Sequence, residues 1–487
     1  MLNPIRLAAI PALATLTFLL ACGGGSSGSD SAATPTPAPA PKVVYFEVIP
    51  LGTTNNYALR SMLEDGTQNT LLDVFSDQGG EIVGFAGDRF IFAEHLDNMS
   101  GQYYTVKADG SGKTRLGDPD QRWKYGCLVG DQVLMQHYDS SHGYQELYAA
   151  PTDAAHAPVL VSLAGEVAST YATTAKGVVY SQRFAATNTY EVRYRELGNG
   201  SAPVVLFPET ADQEWFREVV GDRVLYTTLK GVYSVRLDGT DRRSLATVPD
   251  ALAYQGVVGK LAIYANQNAR GGDLFAVPVD GSGPARTLDA TPDTRKRGNQ
   301  YIGQPLVSDG THLVYFRVPT GMPALIDLYS VPLTGGSPVR LTSFPEMEYP
   351  LAIVNGKALI ARAGDTYQGN WDLYWVPLDG SDSPTPVVQT PQRELFLTLL
   401  DGRLVFRRLY ADREELRSAT LDGQDERLLA TAPTNAGDAW AREQHGRIYV
   451  TLEATPGNYD FFSLKADGTD RRDLAVGPHS ESFQGVL

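Results

Sequence analysis

The chain has 487 residues, is 43% hydrophobic and 20% charged, and carries a formal net charge of −15. This composition is that of a globular protein, and the negative charge disfavours a nucleic-acid partner, because phosphate binding needs a basic surface. The abundance of glycine (48), proline (30) and tyrosine (25) favours turns and strands over long helices.

The first segment, residues 1–21, has the pattern of an export signal. Arg6 precedes an apolar run that is too short, and too interrupted by proline, for a membrane-spanning helix. The stretch "LLAC", ending at Cys22, resembles the bacterial lipobox, which implies cleavage before Cys22 and lipid attachment to it. Gly23 in place of aspartate implies sorting to the outer membrane. Ordinary signal cleavage, with Cys22 incidental, is the alternative.

Residues 22–42 predict a tether without a fold of its own. The segment begins with Gly and Ser and continues with alternating Pro, so it is flexible first and stiffer later. We therefore expect a lipid-anchored protein of the bacterial cell envelope, without a prediction of which face of the outer membrane it occupies.

The remaining segment, residues 43–487, is built from repeats. One unit is an alternating strand, an Asp-Gly-type turn and a second strand, as in "DLFAVPVDGSGPARTL" from Asp273 and "DLYWVPLDGSDSPTPVV" from Asp372. Between copies stands a turn followed by an apolar run, as in "GDRVLY" from Gly221. One period of roughly 40–45 residues thus holds four strands, which is typical of an all-β propeller with four-stranded blades.

The repeat count predicts about ten blades. The segment opens on "VVYFEVI", from Val43, which has the pattern of a second strand without its first, and "SFQGVL", from Ser482, has that of a first strand without its second. We expect these two terminal strands to pair and close the fold, which removes an exposed edge. A single ten-bladed ring is favoured; two smaller propellers, or a ring of about eight with outlying repeats, are the alternatives.

The repeats resemble those of TolB-type propellers, on stretches such as "DLYSVPLTGGSPVRLT" from Asp327 and "SDGTHLVYF" from Ser308. Such repeats also occur beside peptidase domains in other proteins. The W-S-P-D-G turn of that family is reduced here to "VSDG", and no α/β domain precedes the propeller, so we expect a TolB-like protein that is not a TolB orthologue.

No local motif for catalysis, for a phosphate loop or for a cofactor is present, and we predict no cofactor and no metal. His137 and His142 are close in sequence, but two solvated loop histidines explain them better than a metal site does. The "DGTD" and "DGSD" turns pair two acids as calcium loops do, yet they lack a terminal bidentate acid. Cys127 is expected to be a buried, inert thiol.

The most suggestive pattern lies at the entrance to the first strands. An aromatic residue stands five to seven positions before the turn glycine in most repeats, and acids lie just upstream in several. In a propeller the first strand lines the central channel, so these side chains would surround its mouth and grip a sugar, a peptide or a cation. Packing of blade against blade is the alternative. The aromatic positions are Trp123, Tyr171, Trp215, Tyr254, Tyr349, Phe396, Trp440 and Phe483, and the acids are Asp120, Glu214, Glu348, Glu394, Asp438 and Glu481.

Two classes of function remain open on the sequence. The favoured one is a membrane-tethered, non-catalytic propeller that binds a protein or an envelope glycan. The alternative is a propeller enzyme, a hydrolase or lyase acting on a glycan or peptide at the channel mouth, whose acids come from different blades. Converging carboxylates with raised pKa values at one mouth would favour the enzyme.

Overall fold

The computed structural model describes residues 42–51, 54–75, 80–97, 100–118, 123–139, 144–184, 187, 189–207, 215–228, 230–247, 252–268, 271–290, 306–317, 327–344, 347–363, 370–433, 440–455, 458–475 and 480–486. Its regular elements within these ranges are all β-strands, and none of the described residues forms a helix long and apolar enough to cross a membrane.

The strands follow one another in chain order and are numbered here from the N-terminus. The first fifteen are β1 (Lys42–Leu51), β2 (Thr54–Leu63), β3 (Thr70–Phe75), β4 (Gly80–Ala86), β5 (Arg89–Asp97), β6 (Ser100–Lys107), β7 (Thr114–Leu116), β8 (Trp123–Val129), β9 (Gln132–Asp139), β10 (Tyr144–Pro151), β11 (Val159–Leu160), β12 (Val167–Thr173), β13 (Gly177–Phe184), β14 (Thr189–Glu196) and β15 (Val204–Phe207).

The remaining strands continue the same order. They are β16 (Trp215–Val220), β17 (Arg223–Thr228), β18 (Gly231–Arg236), β19 (Arg243–Thr247), β20 (Leu252–Val258), β21 (Leu261–Asn268), β22 (Gly271–Pro278), β23 (Arg286–Asp289), β24 (Val307–Ser308), β25 (His312–Arg317), β26 (Asp327–Pro332), β27 (Val339–Arg340), β28 (Glu348–Val354), β29 (Lys357–Ala363), β30 (Trp371–Pro377), β31 (Thr385–Val388), β32 (Arg393–Leu400), β33 (Arg403–Leu409), β34 (Arg413–Thr420), β35 (Arg427–Pro433), β36 (Trp440–Gln444), β37 (Arg447–Thr455), β38 (Asn458–Leu464), β39 (Arg472–Ala475) and β40 (Ser480–Val486).

The strands form the blades of a β-propeller, as the repeats predicted. Within the described ranges there are eight four-stranded antiparallel sheets and one eight-stranded sheet, in which two four-stranded units meet at the pair Gly101–Trp123. These sheets give ten blade units, in agreement with the predicted count. The chain divides into two compact units, one of three blades (β4–β15) and one of seven blades (β1–β3 and β16–β40).

The first blade of the seven-blade unit contains both terminal strands. Its sheet order is β3-β2-β1-β40, and β1 pairs with β40 from Val43–Val486 to Val48–Ser480. The predicted pairing of the termini is therefore confirmed. The hydroxyl of Tyr449, on the preceding blade, donates to the Glu64 carboxylate at 2.5 Å, which ties that blade to this one.

Apolar side chains of neighbouring blades form the core within each unit. One cluster joins Leu359, Leu373 and Trp375 of one blade to Leu404 and Phe406 of the next. The second strand of each blade is the most buried, with Val224–Thr227 buried throughout. A strand covered on both faces needs a continuous apolar run, which explains the "RVLY" type of sequence after each turn.

Tight turns join the first and second strands. Asn355 and Gly356 both have positive φ (51° and 74°), as a two-residue type I′ hairpin requires. In the seven-blade unit the first strands of successive blades contact each other, for example β24 with β28 and β32 with β36. The first strand is therefore the inner one, as in other propellers.

The second aspartate of the D-G-x-D turns binds an arginine of its own blade. In three blades this arginine is the first residue of the second strand. Its Nε–H group donates to a serine of the third strand, its Nη1–H group to the aspartate carboxylate, and its Nη2–H group to the aspartate backbone carbonyl. The three sets are Arg223–Ser234–Asp241, Arg403–Ser418–Asp425 and Arg447–Ser463–Asp470. These arginines are almost fully buried, so in these three sets the aspartate serves as a counterion that joins two strands.

Removing the terminal strand should destabilise the seven-blade unit. Deletion of residues 480–487 would leave β1 with an unpaired edge and uncover Val43, which is fully buried against Tyr449 and Phe461. We expect the free energy of unfolding to fall by about 3 kcal/mol or more, the scale of losing a buried apolar element. Denaturant titration measures it, with deletion of Leu487 alone as the control. Equal stability of the two truncated chains would contradict the closure by β40.

Neutralising Asp470 should weaken the fold and flatten its response to acid. Hydrogen bonds from Arg472 and Arg447 lower the pKa of Asp470 to about 2. The folded state therefore binds fewer protons than the unfolded state, and this contribution is complete above pH 4 and lost as the pH falls towards 2.

We expect Asp470→Asn to be less stable at pH 7 and to lose less stability between pH 4 and 2. Asparagine tolerates the positive φ of this position. The matched control is Asp382→Asn in the "DGSD" turn, where Lys357 opens the second strand in place of the arginine. Thermal unfolding over this pH range measures both, and parallel curves for wild type and Asp470→Asn would refute the role of the ion pair.

Candidate functional site

The structure places the predicted aromatic residues in unlike surroundings. In the three-blade unit Trp123 is fully buried against Tyr148, while Tyr171 is 45% exposed. In the seven-blade unit Trp215 is 37% exposed, and Tyr254, Tyr349 and Phe396 are half-buried. Trp440 and Phe483 lie in β36 and β40, and their side chains are outside the described residues, as are Cys22, Asp120, Glu214, Asp438 and the Glu481 side chain.

The first strands β16, β20, β28 and β32 each contain a β-bulge, and the predicted aromatic residues in them stand at different positions relative to it. Tyr254 and Phe396 stand just before the bulge, opposite Tyr264 and Phe406 of the second strand. Trp215 and Tyr349 stand one position earlier. Because successive side chains of a strand point to opposite faces, these four residues do not present one face in their unit.

The half-buried members pack within the blades. The ring of Tyr349 lies 5.4 Å from that of Trp371, and the ring of Tyr254 lies 5.5 Å from that of Tyr264. The Tyr254 hydroxyl also donates to the Glu218 carboxylate. These contacts are those of packing side chains, and a binding role for the predicted set stays a prediction.

Two of the predicted acids, Glu348 and Glu394, are buried at the entrances to β28 and β32. Each pairs across the sheet with an arginine that lies near the end of the second strand, Glu348 with Arg362 and Glu394 with Arg408. The alternation of each strand places the paired side chains on the same face. The sequence therefore contained a usable signal, namely an acid at the entrance and an arginine 14 residues later.

The carboxyl of Glu394 is held between two blades. Arg408 donates Nε to Glu394 Oε1 at 2.9 Å, and the Thr390 hydroxyl donates to the same oxygen at 2.5 Å. The other oxygen, Oε2, is buried and has no hydrogen-bond partner among the described residues. Since the side chain is fully buried, this carboxyl is removed from water.

A second carboxyl, that of Asp372, lies beside the first. Asp372 is half-buried near the start of β30 on the preceding blade, and its Oδ1 accepts the backbone N–H of Thr390 at 3.3 Å. Thr390 thus links the two acids, through its amide to Asp372 and through its hydroxyl to Glu394. The two acids also interact electrostatically, since the charge of Asp372 is among the causes that raise the pKa of Glu394.

The surroundings shift both carboxyls towards protonation. Burial raises the pKa of Glu394 to about 7, against the opposing effects of Thr390 and Arg408, and the charge of Asp372 raises it further. Burial also raises the pKa of Asp372. Two carboxyls that are linked through one threonine, one of which titrates near neutral pH, can accept and return a proton at physiological pH. We call Asp372, Glu394 and Thr390 the carboxylate pair and its linker.

The site does not resemble a metal centre. Among the described residues no group of three or more histidines, cysteines, aspartates and glutamates is placed to hold a metal ion. His137 lies in β9, with its ring 5.7 Å from that of Trp123, while His142 lies outside the described residues. Cys127 is half-buried in β8 and forms no disulfide.

No known protein family and no curated protein matches the sequence. Solved structures do resemble the fold. The tricorn protease matches at 10% identity with a TM-score of 0.34, over 90% of this chain and 49% of that one. A prolyl endopeptidase matches at 15% identity with a TM-score of 0.35, over 70% and 54%. A putative TolB from Agrobacterium tumefaciens matches at 14% identity with a TM-score of 0.26, over 58% and 94%.

The likeness to these structures concerns the fold. The chain spans about half the length of the two peptidases named. The comparison nevertheless corrects the favoured interpretation of the sequence, a non-catalytic binding protein, and with it the expectation that the chain is not an enzyme. Solved structures that this chain resembles are propeller-containing peptidases, acylaminoacyl peptidases among them.

Proposed function

We propose that this chain is a propeller hydrolase that cleaves peptide bonds, with Asp372 and Glu394 as its acid–base pair. The observation that carries the proposal is the linkage of two carboxyls through Thr390, one of them with a pKa of about 7. General acid–base catalysis is most effective when the catalytic pKa lies near the working pH. Neighbouring acids with raised pKa values support an enzyme over a binding protein.

The exposed member of the pair is the one able to reach a substrate. Asp372, as carboxylate, takes a proton from a water molecule that attacks the peptide carbonyl, so that a C–O bond forms. It then returns the proton to the leaving nitrogen as the C–N bond breaks. Glu394 is buried behind it and holds a proton near neutral pH. Its role is to share that proton and to stabilise the charge on Asp372.

The linkage of the two acids through one residue favours a peptide over a glycan as the substrate. Glycosidases keep their two carboxyls roughly 5 to 10 Å apart, with the sugar between them. Here both acids bond to Thr390, and they interact with each other. Two carboxyls whose charges act on each other in this way have pKa values that are driven apart, as in the aspartic proteases. The activity test must therefore distinguish peptide cleavage from the action of a lyase or hydrolase on a glycan.

The N-terminal pattern supports a location for this activity. We propose that Cys22 carries lipid and that residues 22–42 tether the TolB-like propeller to the outer membrane of a bacterial envelope. A substrate would then be a peptide segment of an envelope protein. The departure of the turn from W-S-P-D-G supports a protein distinct from TolB itself.

Asp372→Asn should abolish most of the activity. Because the carboxylate that activates water is lost, we expect kcat/KM for peptide cleavage to fall about 100-fold or more. A mixed peptide library and a set of envelope glycans, each read by mass spectrometry, measure the activity of the chain from Lys42 onward. Asp382→Asn, an acid-to-amide change in an exposed turn, is the control. No cleavage by the wild type, or full activity of Asp372→Asn, would refute the proposal.

Cys22→Ser should release the protein from membranes. A hydroxyl cannot receive the lipid through a thioether, so the full-length variant should move from the membrane pellet to the soluble fraction on ultracentrifugation. Ala21→Gly, which keeps a small residue before the cysteine, is the control. A variant that stays in the pellet contradicts the anchor.

A further inference from the structure

We infer that Glu426 governs the protonation of Glu394 through Arg408, the guanidinium that both carboxylates share. This inference deepens the proposed function and rests on it only where catalysis is concerned. Its basis is the distribution of hydrogen bonds around Arg408. The Nε–H group donates a hydrogen bond to Glu394 Oε1 at 2.9 Å. The Nη1–H and Nη2–H groups donate to the two oxygens of Glu426 at 2.7 and 3.0 Å.

Arg408 is thus mainly the counterion of Glu426. The paired, parallel arrangement of two N–H groups on one carboxylate is the strongest that a guanidinium makes. Glu394 receives the single remaining Nε–H, although it is the more deeply buried of the two acids, with side-chain exposures of 0% for Glu394 and 28% for Glu426. A buried carboxyl with a shared cation is poorly compensated as an anion.

Glu426 is also bound by a second arginine. Arg417 donates to Glu426 Oε1 and also to Glu415, and Arg413 donates to Glu415 in turn. This row of alternating charges begins at the buried Arg408 of β33, passes through Glu426, and continues along β34 to Arg413. Glu426 is therefore set between two cations, and its charge offsets that of Arg408.

The groups that face Glu394 are few. Arg408 approaches from β33, Asp372 from β30 of the preceding blade, and Thr390 from the segment before β32, while Arg362 acts on Asp372. Glu426 acts on Glu394 through Arg408. With Glu426 neutral, Arg408 would be left with Glu394 as its charged partner, and the carboxylate form of Glu394 would be favoured. In the proposed enzyme Glu426 is accordingly a positioning residue that keeps a proton on Glu394.

The sign of the effect on stability follows from the pKa of Glu394. Its pKa in the folded state, about 7, lies above the ordinary value of 4.5, so the folded state binds more protons than the unfolded one between these values. Stability attributable to Glu394 is present below pH 4.5 and is lost as the pH rises through 7. Subtracting the free energy of unfolding of Glu394→Gln from that of the wild type at each pH isolates this loss.

The test is a double-mutant cycle of stability against pH, using the chain from Lys42 onward with Glu426→Gln, Glu394→Gln and both. Urea unfolding between pH 4.5 and 8.5 gives each curve. We expect Glu426→Gln to lower, by about 1 pH unit or more, the midpoint pH at which the stability due to Glu394 is lost. The reason is that Glu394 no longer shares the charge of Arg408 with a second carboxylate. In the Glu394→Gln background, Glu426→Gln should leave the pH dependence of stability unchanged over this range.

Glu414→Gln is the matched control, because Glu414 lies on the same blade and pairs with Arg407 rather than Arg408; its midpoint should equal that of the wild type. Glu426→Asp, which keeps the charge but shortens the side chain, serves if Glu426→Gln does not fold, and should shift the midpoint less, in the same direction. An unmoved midpoint in the folded Glu426 variants, or an equal change in the Glu394→Gln background, overturns the inference.

The same proteins separate this inference from the proposed function. A chain that cleaves no peptide but shows the shifted midpoint keeps the role of Glu426 and loses the enzyme. A chain that cleaves peptides without the shift keeps the enzyme and loses the role of Glu426. If both hold, the alkaline limb of the kcat/KM profile, which reports loss of the Glu394 proton, moves down with Glu426→Gln by the same number of pH units as the stability midpoint.

Discussion

The packing of second strands between neighbouring blades is the interaction on which the rest of this structure depends. A strand such as β29 has blades on both of its faces: Ala358 and Ile360 pack with the preceding blade, and Leu359 packs with the next one. Each blade is too small to bury such a strand alone, so its stability comes from its neighbours. The buried arginines that bind the aspartates of the D-G-x-D turns are compensated by these carboxylates.

The carboxylate pair is a consequence of the same packing. Glu394 stands at the edge of a seam where Trp371, Leu373 and Phe406 exclude water. A glutamate in water is ionised at neutral pH. In this seam, among the residues that the structure describes, only the Nε–H of Arg408 and the Thr390 hydroxyl donate hydrogen bonds to the Glu394 carboxylate, so its charge is poorly compensated. The packing that stabilises the propeller therefore also creates the unusual acid.

The fold could be predicted from the sequence because its causes are local. Asp-Gly and Asn-Gly turns, alternating strands and apolar runs each report on a few adjacent residues, and they recur often enough to reveal the period. The pairing of β1 with β40 was predictable for the same reason, since each terminal stretch lacked a partner that other copies possess.

The site was predictable only in part, because it depends on register and on contacts between blades. The spacing from the turn glycine could not show that Tyr349 and Phe396 occupy different register positions. Phe396 stands just before the bulge, and Tyr349 stands one residue further from it. Glu394 was singled out as one of several entrance acids, but Asp372 appeared merely as the first residue of a repeat. That it lies beside Glu394 follows from the placement of one blade against the next, which no single repeat encodes.

The strand order also has a consequence for how the protein is made. Val43 pairs with Val486, 443 positions later, and the three-blade unit lies in sequence between β3 and β16. On the ribosome, β1 to β3 emerge early and wait without their inner neighbour while the other blades are synthesised. A ladder of this sequence separation is slow to form, and until it forms β1 presents an open edge to other chains. The seven-blade unit is thus the first to begin and the last to be completed.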